Sequence, residues 1–252
     1  WEQGVTRFLK LFNENKIKAN FFIVGSDLMD KNNLKIAHDI IKNGHKINSH
    51  TYNHEYDLVK KSESHMNNEI KKNQSLIKKL FSQNNICFRG TGYEINEKMY
   101  HVLKKNNIKI SSTLLPSTFY YLLKNIIILK NRIFFKKSKS LFGNIFSSLK
   151  RKKIFYEKNT NILEIPITTI PYTSIPFIGT FIVFLGKFGF FLFNKLIKKK
   201  QIINLEFHAI DLLDSNDLIN HKLLNKYQFD LQYAYLFKKK LFDKWINHIL
   251  KS

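Results

Sequence analysis

Apolar residues recur at the spacing of an amphipathic helix in several parts of the chain. Val5, Phe8, Leu9 and Phe12 stand at i, i+3, i+4 and i+7, which places them on one face of a helix. Similar patterns predict further helices around residues 36–41, 66–81, 95–103 and 233–250. The pairs Asn43-Gly44 and Asn106-Asn107 follow two of these patterns and indicate helix C-termini.

Short apolar runs of strand length lie between the predicted helices. The clearest is residues 19–24 (ANFFIV), which Gly25 closes. Further strands are predicted at residues 45–48, 86–88, 108–111, 162–168 and 202–207. Strand and helix therefore alternate through the first 111 residues, and this order predicts a parallel α/β sheet or barrel.

Polar residues cluster directly after three of the predicted strands, at residues 25–27 (GSD), 49–50 (SH) and 89–92 (RGTG). In parallel α/β folds the chemistry sits on the loops that follow the carboxyl ends of the strands. We therefore expect these three clusters to meet at one candidate site.

Two later stretches do not fit this alternation. Residues 113–160 are rich in lysine and show no clear period, so we interpret them as an irregular basic insertion. Residues 175–193 are almost wholly apolar and about as long as a membrane span. Three interpretations of this apolar segment stay open: a buried or cleft-lining segment, an interfacial segment with a lysine collar, and a true span. We expect any peripheral membrane contact to run through residues 175–200.

Composition narrows the class of protein. The 252 residues are 44% hydrophobic and 24% charged with only 4 Pro and 9 Gly, which excludes a disordered or collagen-like chain. The one cysteine, Cys87, excludes an internal disulfide framework and a cysteine-rich zinc site. The net charge is +23, but only four of the 42 basic residues are arginine, the residue that nucleic-acid readers favour. We expect no nucleic-acid partner.

The most specific cluster is residues 49–54 (SHTYNH), which begins at a predicted strand end. His50 and His54 can face one point if the loop turns helically. Imidazole suits zinc and similar ions, so the two histidines are candidate ligands for a divalent metal, most simply zinc.

Two further strand ends carry candidate chemistry. Arg89 is flanked by small residues, where an arginine can hold a carboxylate through a fork of hydrogen bonds. His208 ends the strand LEFH with Asp211 three residues later. A histidine so placed suits a general acid that a carboxylate orients.

Taken together and in order, these motifs resemble the polysaccharide deacetylases of carbohydrate esterase family 4. Residues 50–54 (HTYNH) resemble the family's His-Ser/Thr-x-x-x-His motif, residues 18–22 (KANFF) its Lys-Ala-Thr-Phe-Phe strand, residues 89–92 (RGTG) its Arg-x-Pro-x-Gly motif with Thr91 in place of proline, and residues 205–208 (LEFH) its late strand. The resemblance implies one domain over residues 1–252, with a distorted (β/α) barrel of about seven parallel strands. It also implies a metal-dependent hydrolase that removes N-acyl groups, acetyl or formyl, from sugars.

The resemblance implies a role for each motif residue. His50 and His54 would hold the divalent ion, Arg89 would fix the carboxylate that serves as general base, and His208 would protonate the departing amine. Gly92 and Tyr93 would contact the substrate, with a backbone N–H near Tyr93 facing the oxyanion. A weaker likeness to a subgroup acting on lipid-linked sugars would suit the apolar residues 175–193.

The chain departs from the family at its start. The family's first strand ends in two acidic residues, and here only Trp1, Glu2 and Gln3 precede the first predicted helix. Either the chain lacks that strand because it is a fragment, or it is a degenerate homologue that binds a carbohydrate or lipid-linked sugar without turnover. We expect a protein of the cell envelope pathway, located in the cytoplasm or peripherally at the inner membrane.

Overall fold

The fold is described here from a computed structural model, which describes residues 1–135, 151–196, 202–218 and 228–251. Seven α-helices and five short strands lie in these ranges. The helices are α1 (Glu2–Glu14), α2 (Lys31–Lys42), α3 (Glu63–Phe81), α4 (Glu97–Lys105), α5 (Thr118–Phe135), α6 (Gly179–Leu196) and α7 (Tyr235–Lys251). The strands are β1 (Asn20–Ile23), β2 (Lys46–Ser49), β3 (Ile110–Ser111), β4 (Phe155–Tyr156) and β5 (Leu163–Glu164).

Most of the strand pairs are parallel, and Phe88 connects the two small sheets. β1 pairs in parallel with β2, from Asn20 opposite Lys46 to Ile23 opposite Ser49. Phe88 then bridges Ser49 on one side and Ser111 on the other, both in parallel. β3 continues in parallel with β5, and β4 pairs antiparallel with the other edge of β5.

The described residues do not contain the predicted seven parallel strands. The predicted strand at 86–88 forms a bridge only at Phe88, and the one at 202–207 only at Glu206, opposite Ile178. Some main-chain carbonyl groups that would pair with a neighbouring strand in a longer sheet accept hydrogen bonds from side chains instead. Asn204 donates to the carbonyl oxygens of Ile165 and Pro166, at 2.9 and 3.1 Å. What stands is an α/β fold with small, mainly parallel sheets.

The helices of the first 111 residues follow the predicted patterns, and their ends are capped. The Asp30 carboxylate accepts the N–H groups of Asn32 and Asn33 at the start of α2. Ser62 caps α3 and Asn96 caps α4 in the same way. Each such cap satisfies backbone donors that have no partner inside the helix.

The core joins the two ends of the chain. Phe8, Leu11 and Phe12 of α1 belong to one buried cluster with Phe177 of the loop before α6 and Trp245 of α7. The first helix is therefore held by the last one, and residues far apart in sequence fold as one unit.

The interpretation of residues 113–160 as irregular is wrong for their first part, which forms the long helix α5. The helical period is hard to read there because apolar residues occupy both the buried and the exposed side of the helix. Residues 136–150 of this stretch lie outside the described residues.

The apolar segment forms helix α6, which is interrupted at Gly186 with φ 50° and ψ −128°. This backbone conformation favours glycine, since side chains with a Cβ rarely adopt it. By length and composition alone α6 could cross a membrane, and about a third of it is buried. Phe181, Ile182 and Phe193 on its inner side pack into the core.

Candidate active site

The three polar clusters predicted to meet line one cleft of about 1110 Å³. Its walls include Asp27, His50, Arg89 and His208. β1 pairs with β2, and among the described residues no strand pairs with the other edge of β1. Residues of β1 and residues 204–208 also line the cleft, so the cleft lies between β1 and this later segment.

His50 and His54 lie together after β2, with their ring centres 4.8 Å apart. The loop between them does not turn helically, as the sequence analysis supposed. Instead Thr51 and His54 both have positive φ angles, 61° and 57°. The Thr51 hydroxyl accepts the backbone N–H of His54 at 3.0 Å, which closes the loop on itself.

Two buried side chains on α3 hold this histidine loop. The Glu69 carboxylate accepts the backbone N–H groups of Tyr52 and Asn53 at 3.1 and 2.8 Å, and the Asn53 side-chain amide at 2.6 Å. The Asn73 amide donates to the carbonyl oxygens of Ile23 and Thr51 at 3.0 and 2.6 Å. The loop is thus fixed by hydrogen bonds to two buried side chains.

The charge state of the histidines suits metal binding. The pKa of His50 is lowered to about 3, mainly by loss of hydration and in smaller part by the positive charges of neighbouring groups, while the hydrogen bond to the Arg89 carbonyl opposes the shift. Burial also lowers the pKa of His54, while the negative charge of Asp27 opposes that shift. Nδ1 of His50 lies 2.8 Å from the carbonyl oxygen of Arg89, so the proton sits on Nδ1 and Nε2 keeps its lone pair. The residues present therefore fit a divalent ion.

The histidine pair is not joined by a third ligand at metal-binding distance within the described residues. The one group of three possible ligands found there is Glu55, His65 and Glu69. His65 contacts Glu55 at 3.0 Å, but Glu69 already accepts three hydrogen bonds from the histidine loop. Asp27, on the wall of the cleft, is the carboxylate of this chain whose charge reaches His54.

Arg89 does hold a carboxylate, that of Glu206. One terminal nitrogen of the buried guanidinium, Nη1, donates to Glu206 Oε1 at 2.8 Å. The other two nitrogens donate to the carbonyl and hydroxyl oxygens of Ser112, at 2.7 and 2.8 Å, so the contact with Glu206 is not a two-pronged fork. The guanidinium also stacks over the Phe22 ring at 4.5 Å.

Glu206 links Arg89 to His208. Nε2 of His208 lies 3.9 Å from the same Glu206 oxygen that Arg89 contacts. The second oxygen, Oε2, is buried and has no hydrogen-bond partner among the described residues. A buried carboxylate oxygen without a donor is costly, and this one lies at the wall of the cleft.

Asp211 acts on the main chain of His208 and not on its ring. Asp211 Oδ2 accepts the backbone N–H of His208 at 2.7 Å, while the ring Nδ1 lies 4.0 Å away, beyond hydrogen-bond distance. The reason is the short helical turn Ala209–Leu212, in which the Asp211 side chain bends back to the residue before the turn. Burial raises the Asp211 pKa to about 6.

Gly92 and Tyr93 form a tight turn next to these groups, with φ angles of 63° and 64°. The Tyr93 ring is buried and meets the Tyr120 ring edge-on, with centres 5.3 Å apart. Burial and the nearby Glu206 charge raise the Tyr93 pKa. Tyr93 thus lies close to Glu206, and Tyr120 of α5 packs against its ring.

Sequence reasoning missed Glu206, Glu69, Asn73 and Tyr120. A signal existed for Glu206, because residues two apart on a strand share a face and Glu206 is two before His208. The other three lie on helices, where their patterns are those of ordinary helix residues.

Comparison with known proteins identifies the region that carries the site. The sequence profile of the family Polysaccharide deacetylase matches residues 1–111, which include α1, the histidine loop and Arg89. This part of the chain is therefore similar to the polysaccharide deacetylase family. No curated protein matches the chain.

One solved structure extends the likeness of this chain beyond the matched region. A putative polysaccharide deacetylase from Mycobacterium smegmatis has a TM-score of 0.56 at 14% identity, over 99% of this chain and 77% of that one. At that identity the likeness concerns the fold alone, and it covers the C-terminal half as well.

Two further structures match a shorter part. The Xyl-CE4 domain of a xylanase from the hindgut metagenome of Trinervitermes trinervoides has 25% identity and a TM-score of 0.39, over 44% of this chain and 53% of that one. The family 4 carbohydrate esterase from Streptomyces lividans, in complex with acetate, has 19% identity and a TM-score of 0.39, over 43% and 55%. The chain spans about half the length of these two proteins.

Proposed function

We propose that the protein is a metal-dependent hydrolase that removes an N-acyl group, acetyl or formyl, from a sugar. The observation that carries this proposal is the histidine loop: two neutral, partly buried imidazoles 4.8 Å apart, held from beneath by Glu69 and Asn73. The match of residues 1–111 to the polysaccharide deacetylase family supports the reaction class.

The site contains residues for metal binding and for proton transfer. His50 and His54 would hold a divalent ion, with zinc as the first choice, and a carboxylate would complete the ligand set. Asp27 is the candidate for that carboxylate within this chain, and the acidic strand that the resemblance implies is the alternative. When bound, the ion would activate a water molecule and polarise the acyl oxygen.

His208 is placed to deliver a proton to the leaving amine. Its ring is half exposed, and its Nε2 lies 3.9 Å from Glu206 Oε1. Asp211 fixes the backbone that carries the ring. Arg89 holds Glu206 in place, so the two residues act as a pair in positioning His208. The turn at Gly92 and Tyr93 would contact the sugar.

Acetate release from a water-soluble N-acetylglucosamine oligosaccharide, measured on the zinc-loaded protein, tests this proposal. We expect turnover by the wild type and a loss of about 10²–10⁴-fold in His208→Ala, the range for loss of a general acid. His101→Ala is the matched control, since His101 is an exposed histidine on α4 outside the cleft. Equal rates in the two variants would contradict the role of His208.

The second candidate function is a carbohydrate or lipid-linked sugar binding protein without turnover. Among the described residues no third ligand lies at metal-binding distance from His50 and His54, which favours this function. Oligosaccharide binding by calorimetry together with no acetate release would support this alternative.

We further propose that the substrate is a lipid-linked saccharide. The protein would then contact the membrane peripherally through residues 175–200. The exposed phenylalanines of α6 support it. Residence in the cytoplasm or on the inner membrane is part of the same proposal.

A further inference from the structure

Two helices of the C-terminal half expose rows of large apolar side chains. On α5 the row is Phe119, Leu122, Leu123, Ile126 and Leu129, each between 36% and 59% exposed. These residues stand at i, i+3, i+4, i+7 and i+10, so they form one stripe along the helix. On α6 the exposed residues are Phe184, Phe188 and Phe191. Together these eight side chains are called the apolar surface below.

The two rows start from the same place. The Phe119 ring at the beginning of α5 lies 5.7 Å from the Phe181 ring near the beginning of α6, in an edge-on contact. Phe181 itself is buried. The beginnings of the two helices are therefore anchored to each other, and the exposed rows extend from that contact.

The charges on these helices have one sign. α5 contains three basic residues, α6 contains two, and neither helix contains Asp or Glu. Lys187 and Lys195 of α6 are exposed. Exposed apolar rows on helices whose charged residues are all basic match the interfacial region of a bilayer that contains anionic lipids.

From these observations we infer that α5 and α6 dock the protein onto an anionic lipid bilayer, with both apolar rows inserted at the interface. α6 lies on the bilayer and does not cross it. Its inner side chains pack against the core, where the Phe193 ring is 5.0 Å from that of Trp245. The break at Gly186 also prevents one straight helix over residues 179–196.

The docking surface begins at the candidate site. Tyr120, next to Phe119, contacts Tyr93, which follows Arg89 in the loop after Phe88. At the beginning of α6 the Thr180 hydroxyl donates to Asp211 at 3.2 Å, and Asp211 holds the backbone of His208. Docking would bring the cleft to the membrane, which suits a saccharide attached to a lipid. This consequence for the substrate rests on the proposed function, whereas the docking itself does not.

Sedimentation with vesicles tests the docking. The protein is mixed with vesicles of phosphatidylcholine alone or of phosphatidylcholine with phosphatidylglycerol. We expect binding to the anionic vesicles and a decrease of at least about tenfold in two double variants, Phe184→Ser/Phe188→Ser and Leu122→Ser/Ile126→Ser, because each removes apolar area from the interface. The matched control is Met29→Ser/Leu250→Ser, two exposed apolar residues outside both helices, which should bind like the wild type.

Three results would overturn the inference. In the first, the wild type would stay in the supernatant with both kinds of vesicle. In the second, both helix variants would bind as the wild type does. In the third, only one of the two helix variants would bind less than the wild type. Gel filtration adds a fourth: a dimer that the helix variants dissociate would show that protein covers the surface. Circular dichroism verifies that each variant is folded. Acetate release from the soluble oligosaccharide should be unchanged in the helix variants, so failure of docking and failure of the proposed function are distinguishable.

Discussion

The first 111 residues and the rest of the chain treat their large apolar side chains differently. Of the seventeen such side chains that are exposed among the described residues, only Met29 and Tyr56 lie in the first 111. Helices α1–α4 bury one face and expose a polar one, whereas α5 and α6 expose apolar residues. The N-terminal part therefore presents a mainly polar surface to solvent. The C-terminal part also exposes an apolar surface, of the kind that contacts another apolar surface.

The two regions nevertheless share a buried core. The substitution with the largest expected effect removes a side chain from this core. Trp245 is 1% exposed and contacts the rings of Phe177, Phe190 and Phe193. We expect Trp245→Ala to lower the free energy of unfolding by about 3–5 kcal/mol, because a large buried ring leaves a cavity. Urea denaturation should show one transition, shifted for the whole molecule.

The matched variant is Phe191→Ala, an exposed aromatic on α6. It should change the free energy of unfolding by less than about 0.5 kcal/mol, as surface substitutions do. Two separate transitions in Trp245→Ala would show that the regions unfold independently and would break the shared core.

An intermediate effect concerns the anchor of the histidine loop. In Glu69→Ala the backbone N–H groups of Tyr52 and Asn53 lose their acceptor, and the loop is free to move. We expect zinc affinity to fall by about 10–100-fold, the range for residues that support metal ligands. Competition with a chromophoric chelator measures the affinity.

Glu69→Gln is the control for this anchor, because its amide oxygen can still accept hydrogen bonds. It should keep most of the affinity that Glu69→Ala loses. Equal affinity in Glu69→Ala and the wild type would remove the anchor from the account.

The smallest expected effect concerns the helix caps that characterise the N-terminal part. Ser62 accepts the backbone N–H of His65 at the start of α3. Ser62→Ala should cost about 1 kcal/mol, the usual value of such a cap. Thermal denaturation beside Ser64→Ala, an exposed serine two residues later in the first turn of the same helix, would show whether the cap or the serine content matters.

Local patterns predicted the N-terminal fold well, since burial there follows helical and strand periods. Val5, Phe8 and Phe12 are buried as predicted, and β1 and β2 lie where the apolar runs stand. The helix α5 was missed because its exposed side is apolar too. The predicted number of strands was too high, because strand length depends on which main-chain groups pair with each other. The carbonyl oxygen of Ile165, for example, accepts the Asn204 side chain.

Residues from the predicted polar clusters line one cleft, as expected, but the contacts between them were not predicted. His50, His54, Arg89 and His208 come from strand ends, a position that sequence reveals. The partner of Arg89 is separated from it by more than a hundred residues and could not be chosen from spacing alone. Asp211 was predicted beside His208, but which of its atoms it contacts depends on the local turn.

Metal content by mass spectrometry after zinc loading and dialysis tests the central claim most directly. We predict about one bound ion per chain in the wild type and in His208→Ala, and none in His50→Ala/His54→Ala. Asp27→Asn in the same experiment reports whether this chain supplies the carboxylate ligand. A wild type without metal, or a double variant that keeps its ion, would contradict the account.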